Sequence, residues 1–152
     1  MQYRSRGFTL IELMVTISIA AVLMAVAAPS FRDLVAGQKI KTASYDVLSA
    51  LTYARSEALK RNLNVSLVQA AGGWKNGWTI VTADSFTVSA HEAFSGLTIT
   101  GPTGSLVYGR DGRITSSAGQ TFGVSSSVSS SVPARCITID LSGLPKSKVG
   151  SC

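Results

Sequence analysis

The sequence predicts an α+β fold in which one long N-terminal helix, membrane-spanning in its first half, packs on a C-terminal antiparallel β-sheet. Two observations lead to this prediction. An unbroken apolar run occupies residues 8–28, and short β-type runs divided by turn residues follow Asn62. A chain of 152 residues has room for one globular domain beside such a helix.

The apolar run from Phe8 to Ala28, FTLIELMVTISIAAVLMAVAA, is long enough to cross a bilayer. Its single ionisable group is Glu12, and as a helix it extends about 31 Å, which matches a hydrocarbon core of about 30 Å. A secretory signal has a shorter apolar region, of about 7 to 15 residues. Because Arg4 and Arg6 precede the run, the positive-inside rule places the N-terminus in the cytoplasm and the domain outside.

The second half of the helix follows Pro29, where the missing backbone donor predicts a local kink or break. Gly37 is expected to weaken the helix locally. Apolar residues recur at helical spacing between Ser30 and about Arg61, which predicts a face packed on a sheet. This predicted face consists of Val47, Leu51, Ala54 and Ala58, with Leu48 and Leu59 beside them.

The strands of the sheet are predicted from seven short runs rich in β-branched and aromatic residues. These runs are Val65–Gln69, Trp78–Ala83, Phe86–Ala90, Leu97–Thr100, Leu106–Tyr108, Gln120–Val124 and Cys136–Leu141. Gly72-Gly73 and Gly101–Gly104 predict turns. The low-complexity segment Ser125–Ser131 predicts a mobile loop or an edge strand.

Cys136 and Cys152 are the two cysteines of the chain. An oxidising compartment outside the membrane permits a structural disulfide between them, and closing a loop of this length contributes about 3 kcal/mol in the chain-entropy model. Two free, buried thiols are the alternative.

The segment Gly7-Phe8-Thr9-Leu10-Ile11-Glu12 places a glycine at the membrane edge and one acid near the start of the apolar helix. It resembles the type IV prepilin signal in residue types, spacing and topology. The resemblance implies that prepilin peptidase cuts after Gly7, that the new N-terminus of Phe8 is methylated, and that Glu12 becomes the fifth mature residue.

A carboxylate in an apolar segment costs about 2.5–3.5 kcal/mol unless it finds a partner. Cleavage after Gly7 would free the amine of Phe8, which supplies a counter-charge for Glu12 within the subunit or on a neighbour during assembly. Three alternatives remain open: Glu12 snorkels to the interface, Gly7 is a plain turn residue, or the chain is a single-pass membrane protein that is never cleaved.

Two further segments, Leu51–Arg61 (LTYARSEALKR) and Tyr108-Gly109-Arg110, resemble the GspH/FimT group of minor pilins and pseudopilins. The resemblance implies the type IV pilin-like fold and divides the chain into four parts. These are a prepilin leader peptide, residues 1–7; a transmembrane and filament-core helix, 8–28; an amphipathic continuation of the helix, 29–63; and a β-rich GspH/FimT-like domain, 64–152.

The resemblance implies a minor type IV pilin that is processed by prepilin peptidase and joins other pilins or pseudopilins, priming or capping the pilus. The chain would cross the bacterial inner membrane once, with its C-terminal domain in the periplasm, before entering a pilus or pseudopilus. Apolar helices would bundle in the filament core, with Glu12 setting the register between subunits. In the pilus branch of the group a disulfide ties the tail to the last strand, so Cys136 and Cys152 favour a pilus.

Two other functions remain open: a GspH-like type II secretion pseudopilin, and a DNA-binding minor pilin for DNA uptake in natural transformation. Several FimT-type proteins bind DNA through a basic Gly-Arg-x-Arg tail, whose place here is taken by Gly143-Leu144-Pro145-Lys146. Leucine and lysine replace the arginines, and lysine lacks the planar fork that holds a phosphate with two hydrogen bonds. The candidate residues for weak, non-specific DNA contact are Lys146, Lys148, Arg135, Arg110 and Arg113.

Solvated surface charges are the alternative to DNA contact, since Asp111 and Asp140 lie among these basic residues in the sequence. The formal charge of +6 falls to +4 when Arg4 and Arg6 are removed. Such a modest excess suits solubility or contact with a polyanion and indicates nothing about the fold.

The sequence lacks the common signatures of enzymes and metal sites. His91 is the only histidine, and neither a nucleophile elbow, a phosphate-binding glycine loop nor an H-E-x-x-H motif occurs. We therefore predict no catalytic residues, no metal and no cofactor. Trp74 and Trp78 bracket a turn, which predicts packing residues of a hairpin; stacking on nucleic-acid bases is the alternative.

Overall fold

The computed structural model describes residues 7–152, and this part of the chain forms one long helix followed by eight β-strands. Arg4, Arg6 and the rest of the predicted leader up to residue 6 lie outside the described residues. The strands are β1 (Val65–Gln69), β2 (Trp78–Thr82), β3 (Thr87–His91), β4 (Leu97–Thr100), β5 (Ser105–Tyr108), β6 (Gln120–Ser126), β7 (Arg135–Ile139) and β8 (Pro145–Val149). A short 3₁₀ turn, Trp74–Asn76, lies between β1 and β2.

The helix, α1, spans Leu10–Arg61 and its 52 residues extend about 78 Å. It begins after the N-cap Thr9 and ends at Asn62, which adopts the left-handed conformation at φ 53°. The backbone is helical on both sides of Pro29, so of the predicted kink or break the break is excluded, and α1 is the one long helix that the sequence predicts. Proline removes one backbone donor, whereas the turns before and after it keep their own hydrogen bonds.

The strands form two antiparallel sheets, where the sequence had predicted one. The strand order is β3-β2-β1-β5 in the first sheet and β4-β6-β7-β8 in the second. The chain leaves the first sheet after β3, adds β4 to the second, and returns for β5 before it completes the second sheet. Long-range pairing of this kind leaves no local signal in the sequence, because each strand shows only its own pattern.

The seven predicted strands fall within two residues of observed strands, but β8 was missed. It pairs with β7, placing Lys146 opposite Thr138 and Lys148 opposite Cys136. Pro145 is the first residue of this edge strand, where a missing donor is tolerated. A half-buried strand is recognised by apolar residues at every second position, and β8 has lysines at those positions instead, so its sequence does not indicate a strand.

The core lies between α1 and both sheets. The helix contacts β1, β2 and β5 of the first sheet and β6, β7 and β8 of the second. The predicted face is confirmed, since Val47, Leu51, Ala54 and Ala58 are buried. Leu48 packs partly buried against the core, but Leu59 is half exposed and lies beside Gly112. The largest fully buried side chains on the sheets include Leu67, Ile80, Tyr108, Phe122, Ile137 and Ile139.

Candidate functional site

The first half of α1 stands away from the domain. The described side chains between Phe8 and Ala28 are exposed apart from Ala20, which is intermediate. The helix is long and apolar enough to cross a membrane, by length and composition. An apolar surface of this extent is unstable in water, so it needs lipid or other apolar helices to cover it.

The hydroxyl groups in this apolar segment bond to its own backbone. Thr16 Oγ1 donates to the Leu13 carbonyl and Ser18 Oγ to the Met14 carbonyl, each at 2.8 Å. A donor satisfied within the helix avoids the cost of an unpaired polar group in hydrocarbon. These two residues are therefore compatible with a membrane or filament core.

Glu12 belongs to a capping box at the start of α1. Its Oε2 atom accepts hydrogen bonds from the Thr9 backbone nitrogen at 2.9 Å and from Thr9 Oγ1 at 2.8 Å. The Glu12 backbone nitrogen donates in turn to Thr9 Oγ1 at 3.3 Å. The carboxylate therefore folds back over the helix N-terminus, where the macrodipole favours negative charge.

The capping box was missed in the sequence, although the pattern Thr9-Leu10-Ile11-Glu12 carries its signature of threonine followed three residues later by glutamate. The structure brings the Glu12 carboxylate to Thr9, the residue next to Phe8, which is the predicted new N-terminus. Gly7 precedes the helix, and a side chain there would meet no atom of the described residues beyond its chain neighbours within 4 Å.

A disulfide joins Cys136 of β7 to Cys152, as the sequence had allowed, with Cα atoms 5.1 Å apart. Cys136 is buried, and Cys152 Sγ lies 3.3 Å from the Phe122 carbonyl oxygen of β6. The bond fastens the tail after β8 back onto the second sheet. It excludes the alternative of two free thiols.

The tail lysines lie on the outer face of the second sheet. Residues two apart on a strand share a face, so Lys146 and Lys148 point to the same side as their partners Thr138 and Cys136. Both lysines are exposed. Lys146 Nζ lies 3.8 Å from Asp140 Oδ2, which offsets part of its charge. A hydrogen bond from the Ser142 hydroxyl lowers the pKa of Asp140, which favours its charged form.

Arg135 does not join these lysines, contrary to the expected cluster of five basic residues. It alternates with Cys136 along β7 and shares the face of the buried residues Ile137 and Ile139. Its guanidinium lies 5.8 Å from the ring centroid of Tyr45 on α1. The alternation of side chains along a strand therefore separates Arg135 from Lys146 and Lys148.

Arg110 and Arg113 occupy the turn after β5, which packs against the turn before β8. The contact is close, because a Cβ atom on Gly143 would lie 2.2 Å from the Gly112 carbonyl oxygen. Asp111 Oδ1 accepts from the Arg113 backbone nitrogen at 3.1 Å, so this turn also contains an acid. The structure thus brings the two arginines to the base of the tail strand, with a carboxylate beside each basic segment.

The aromatic residues predicted as packing groups are buried. Trp74 Nε1 donates to the Pro102 carbonyl at 2.9 Å, and its ring meets Phe122 edge-on at 4.8 Å. The rings of Trp78, His91 and Phe94 form one cluster, in which the His91 centroid lies 4.6 Å from each of the other two and the Trp78 and Phe94 centroids are 5.6 Å apart. Burial removes both tryptophans from any base-stacking surface. Among residues 7–152, no group of three or more histidine, cysteine or acidic residues is placed to hold a metal ion.

Comparison with known proteins identifies the family. Residues 43–143 match the family described as type II transport protein GspH, and residues 2–28 match the prokaryotic N-terminal methylation motif. The chain belongs to the GspH family. It is therefore a subunit of the type IV minor pilin and pseudopilin class, and this family is not enzymatic, which confirms the prediction of no enzyme.

Among relatives of this GspH-family chain, the fimbrial protein EcpB of Eikenella corrodens is 41% identical over 54 residues. The alignment covers 36% of the chain and 34% of EcpB, so it spans only about a third of that relative's length.

Solved structures confirm the type IV pilin-like fold. The type IV minor pilin FimU of Pseudomonas aeruginosa is 22% identical, with a TM-score of 0.67, and the match covers 76% of this chain and 96% of that one. The minor pseudopilin EpsH of the type 2 secretion system of Vibrio cholerae is 12% identical, with a TM-score of 0.57 and coverage of 74% and 97%. At these identities the likeness shows the fold alone.

Proposed function

We propose that this GspH-family chain is a minor type IV pilin, cut by prepilin peptidase after Gly7 and incorporated into a pilus to prime or cap its assembly. The observation that carries the proposal is the exposed apolar half of α1, with Glu12 at its start and a folded domain at its other end. Lipid and a bundle of like helices both cover such a surface. One element can therefore anchor the subunit first and build the filament core afterwards.

Two observations favour a pilus over a secretion pseudopilus. EcpB, the relative with 41% identity over its aligned segment, is described as a fimbrial protein. The Cys136–Cys152 bond also fastens the tail to β7, the arrangement that the resemblance associates with the pilus branch. The secretion pseudopilin remains the competing function. Deleting the gene in its host distinguishes the two, since we expect loss of surface pili with protein secretion unchanged; the reverse phenotype contradicts the proposal.

The capping box supports a specific role for Glu12 in assembly. Its carboxylate is held against Thr9, so cleavage after Gly7 would create the positively charged amine of Phe8 one residue away. A buried carboxylate in an apolar bundle is stabilised most by such a charge, on its own subunit or on the next. Glu12 would thereby set the register between neighbouring helices.

Mass spectrometry of the mature chain tests the processing step. Expression with prepilin peptidase should remove residues 1–7 and add one methyl group to Phe8, whereas expression without it should leave the chain intact. Replacing Gly7 with valine should block the cut, and the control Ser18→Ala should not. A mature protein that keeps Met1 or Gln2 would show that the apolar helix is a permanent anchor.

DNA capture is a second candidate function, which the shared exposed face of Lys146 and Lys148 favours. Phosphate contacts by two lysines give weak binding that salt weakens further. Gel shift of the detergent-solubilised chain at low and high salt tests it. We expect Lys146→Ala with Lys148→Ala to abolish the low-salt shift and the control pair Lys60→Ala with Lys75→Ala to preserve it; no shift of the unmodified chain removes this function.

A further inference from the structure

Three exposed apolar side chains lie where α1 leaves its membrane-spanning half, and we call them the apolar rim. They are Phe31 and Leu34 on the helix and Val128 on the serine-rich loop, exposed by 66%, 61% and 75%. Phe31 and Val128 line one groove, and Phe31 and Leu34 line the next. The rim is therefore one continuous surface rather than three scattered residues.

The serine-rich loop is held against α1 at this level. Ser129 Oγ donates to Asp33 Oδ1 at 2.6 Å, and the Ser126 hydroxyl accepts from the backbone nitrogens of Val128 and Ser129 at 3.1 and 3.0 Å. The loop also packs along α1 at Gly37, where a Cβ atom would make ordinary van der Waals contact with Val132 at 3.5 Å. Val128 is thus placed beside Asp33 on the helix.

The height of the rim can be compared with the layers of a bilayer. Phe31 and Leu34 lie three and six residues beyond Ala28, or about 4.5 and 9 Å farther along the helix axis. The headgroup layer on each side of the hydrocarbon core is roughly 5–8 Å thick. With residues 8–28 spanning the core, Phe31 falls within the headgroup layer and Leu34 at its outer edge, and apolar side chains insert favourably at this boundary.

Basic side chains accompany the rim. Arg32 is exposed and lines the same groove as Phe31 and Val128. Lys39 lines that groove farther out, about 16 Å beyond Ala28, and its Nζ donates to the Ser95 carbonyl at 3.4 Å. The nearby acid, Asp33, is already engaged by Ser129. Apolar groups with an arginine at the same height match the chemistry of a phospholipid surface, whose phosphates lie just outside its acyl chains.

We propose that, before filament entry, the apolar rim docks the domain onto the outer surface of the membrane that α1 spans. Phe31, Leu34 and Val128 insert among the headgroups while Arg32 contacts lipid phosphates. The inference rests on the proposed membrane anchor. Docking gives the domain one orientation on the bilayer, and entry into a filament requires this contact to break.

Fluorescence quenching in vesicles tests the docking. The full-length chain carries Val128→Cys or Ala83→Cys, labelled with a polarity-sensitive dye, in vesicles of phosphatidylethanolamine and phosphatidylglycerol with nitroxide-bearing headgroups. Cys136 and Cys152 are bonded to each other and do not react. Ala83 is the matched control, because it is exposed and bonds to Asn64 just beyond the far end of α1.

The label at Val128 should be quenched at least about twofold more than the label at Ala83, with emission shifted to the blue. Adding Phe31→Ser with Leu34→Ser should remove the difference, whereas the control pair Leu141→Ser with Val149→Ser, also exposed, should keep it. Flotation of each variant with the vesicles tests the anchor separately. A chain that fails to float overturns the anchor itself, and with it the docking.

A chain that floats but shows equal quenching at the two positions overturns the docking and leaves the anchor intact. Equal quenching together with disulfide-linked dimers of the unlabelled Val128→Cys chain would assign the rim to contact between two subunits instead, which also overturns the proposal.

Discussion

The Glu12 carboxylate is bound to Thr9 twice, by the backbone nitrogen at 2.9 Å and by the side-chain hydroxyl at 2.8 Å. The sequence predicts that this acid needs a counter-charge, and the structure shows that the turn that starts the helix supplies part of its stabilisation. These hydrogen bonds cap the helix but leave the negative charge uncompensated in an apolar bundle. The capping role of Glu12 is therefore distinct from its need for a counter-charge. The two contributions can be separated by mutation.

We expect Glu12→Gln to enter filaments about tenfold less efficiently than the unmodified chain, because glutamine keeps an oxygen acceptor for Thr9 but carries no charge. Glu12→Ala should be at least as defective. Thr9→Ala, which loses the cap at a cost of about 1 kcal/mol, should have a smaller effect. The amount of the subunit in sheared filaments measures incorporation, with Glu92→Gln as control. Normal incorporation of Glu12→Gln would mean that the cap suffices.

Loss of the disulfide should destabilise the domain without changing its fold. Replacing Cys136 and Cys152 together with serine should lower the free energy of unfolding by about 3 kcal/mol, because the unfolded chain regains the entropy of an open loop. Denaturant titration of the detergent-solubilised chain, with and without reductant, measures the change. The unmodified chain under reductant should match the double variant. If reductant still lowered the free energy of unfolding of the double variant, the destabilisation would not come from the disulfide.

Acid should weaken the end of α1 through Glu57. This buried side chain accepts from Arg61 Nε at 2.6 Å, and the hydrogen bond lowers the pKa of Glu57 in the folded chain. A lowered folded pKa gives stability that is present above the unfolded value and lost as the pH falls through the folded value. Thermal unfolding of Glu57→Gln should therefore show a shallower decline in acid than the unmodified chain. Exposed Glu92→Gln should follow the unmodified chain, and parallel curves for Glu57→Gln would refute the assignment.

Tyr108→Phe should leave the domain as stable or stabilise it by about 1 kcal/mol. The Tyr108 ring is fully buried, and its hydroxyl has no hydrogen-bond partner among the described protein residues. Burial also raises the pKa of Tyr108 to about 12, so its phenol should be the last to ionise in an alkaline absorbance titration. Tyr45→Phe, at an exposed position, serves as control for both measurements. Clear destabilisation by Tyr108→Phe would reveal a bonded hydroxyl.

Local patterns predicted much of this fold. Val47, Leu51, Ala54 and Ala58 recur at helical spacing and are buried, because the period of a helix determines which residues face one way. The β-rich runs also lie within two residues of seven strands. The exposed strand β8 escaped prediction, since its lysines carry no apolar alternation.

The functional residues predicted at the N-terminus belong to one local motif, whereas the basic cluster predicted at the tail depends on how the strands pair. Gly7, Phe8 and Glu12 lie within six residues and need no tertiary information, whereas Arg135 seemed close to Lys146 and Lys148 only along the chain. Pairing of β7 with β8 puts the lysines on the outer face and Arg135 on the side of Tyr45. Sequence separation does not show which face of a strand a side chain occupies.

The sequence by itself determined the apolar helix, its processing motif and the buried face of its second half, because these depend on composition and on the helical period. Only the tertiary structure decided that the strands form two sheets, that the serine-rich loop lies against Asp33, and that Val128 shares a surface with Phe31. The loop contacts join residues about 100 positions apart, and each sheet pairs strands that are not consecutive in the chain. Hydrophobic burial drives such contacts but has no preferred direction, so which residues meet is determined only when the whole chain packs.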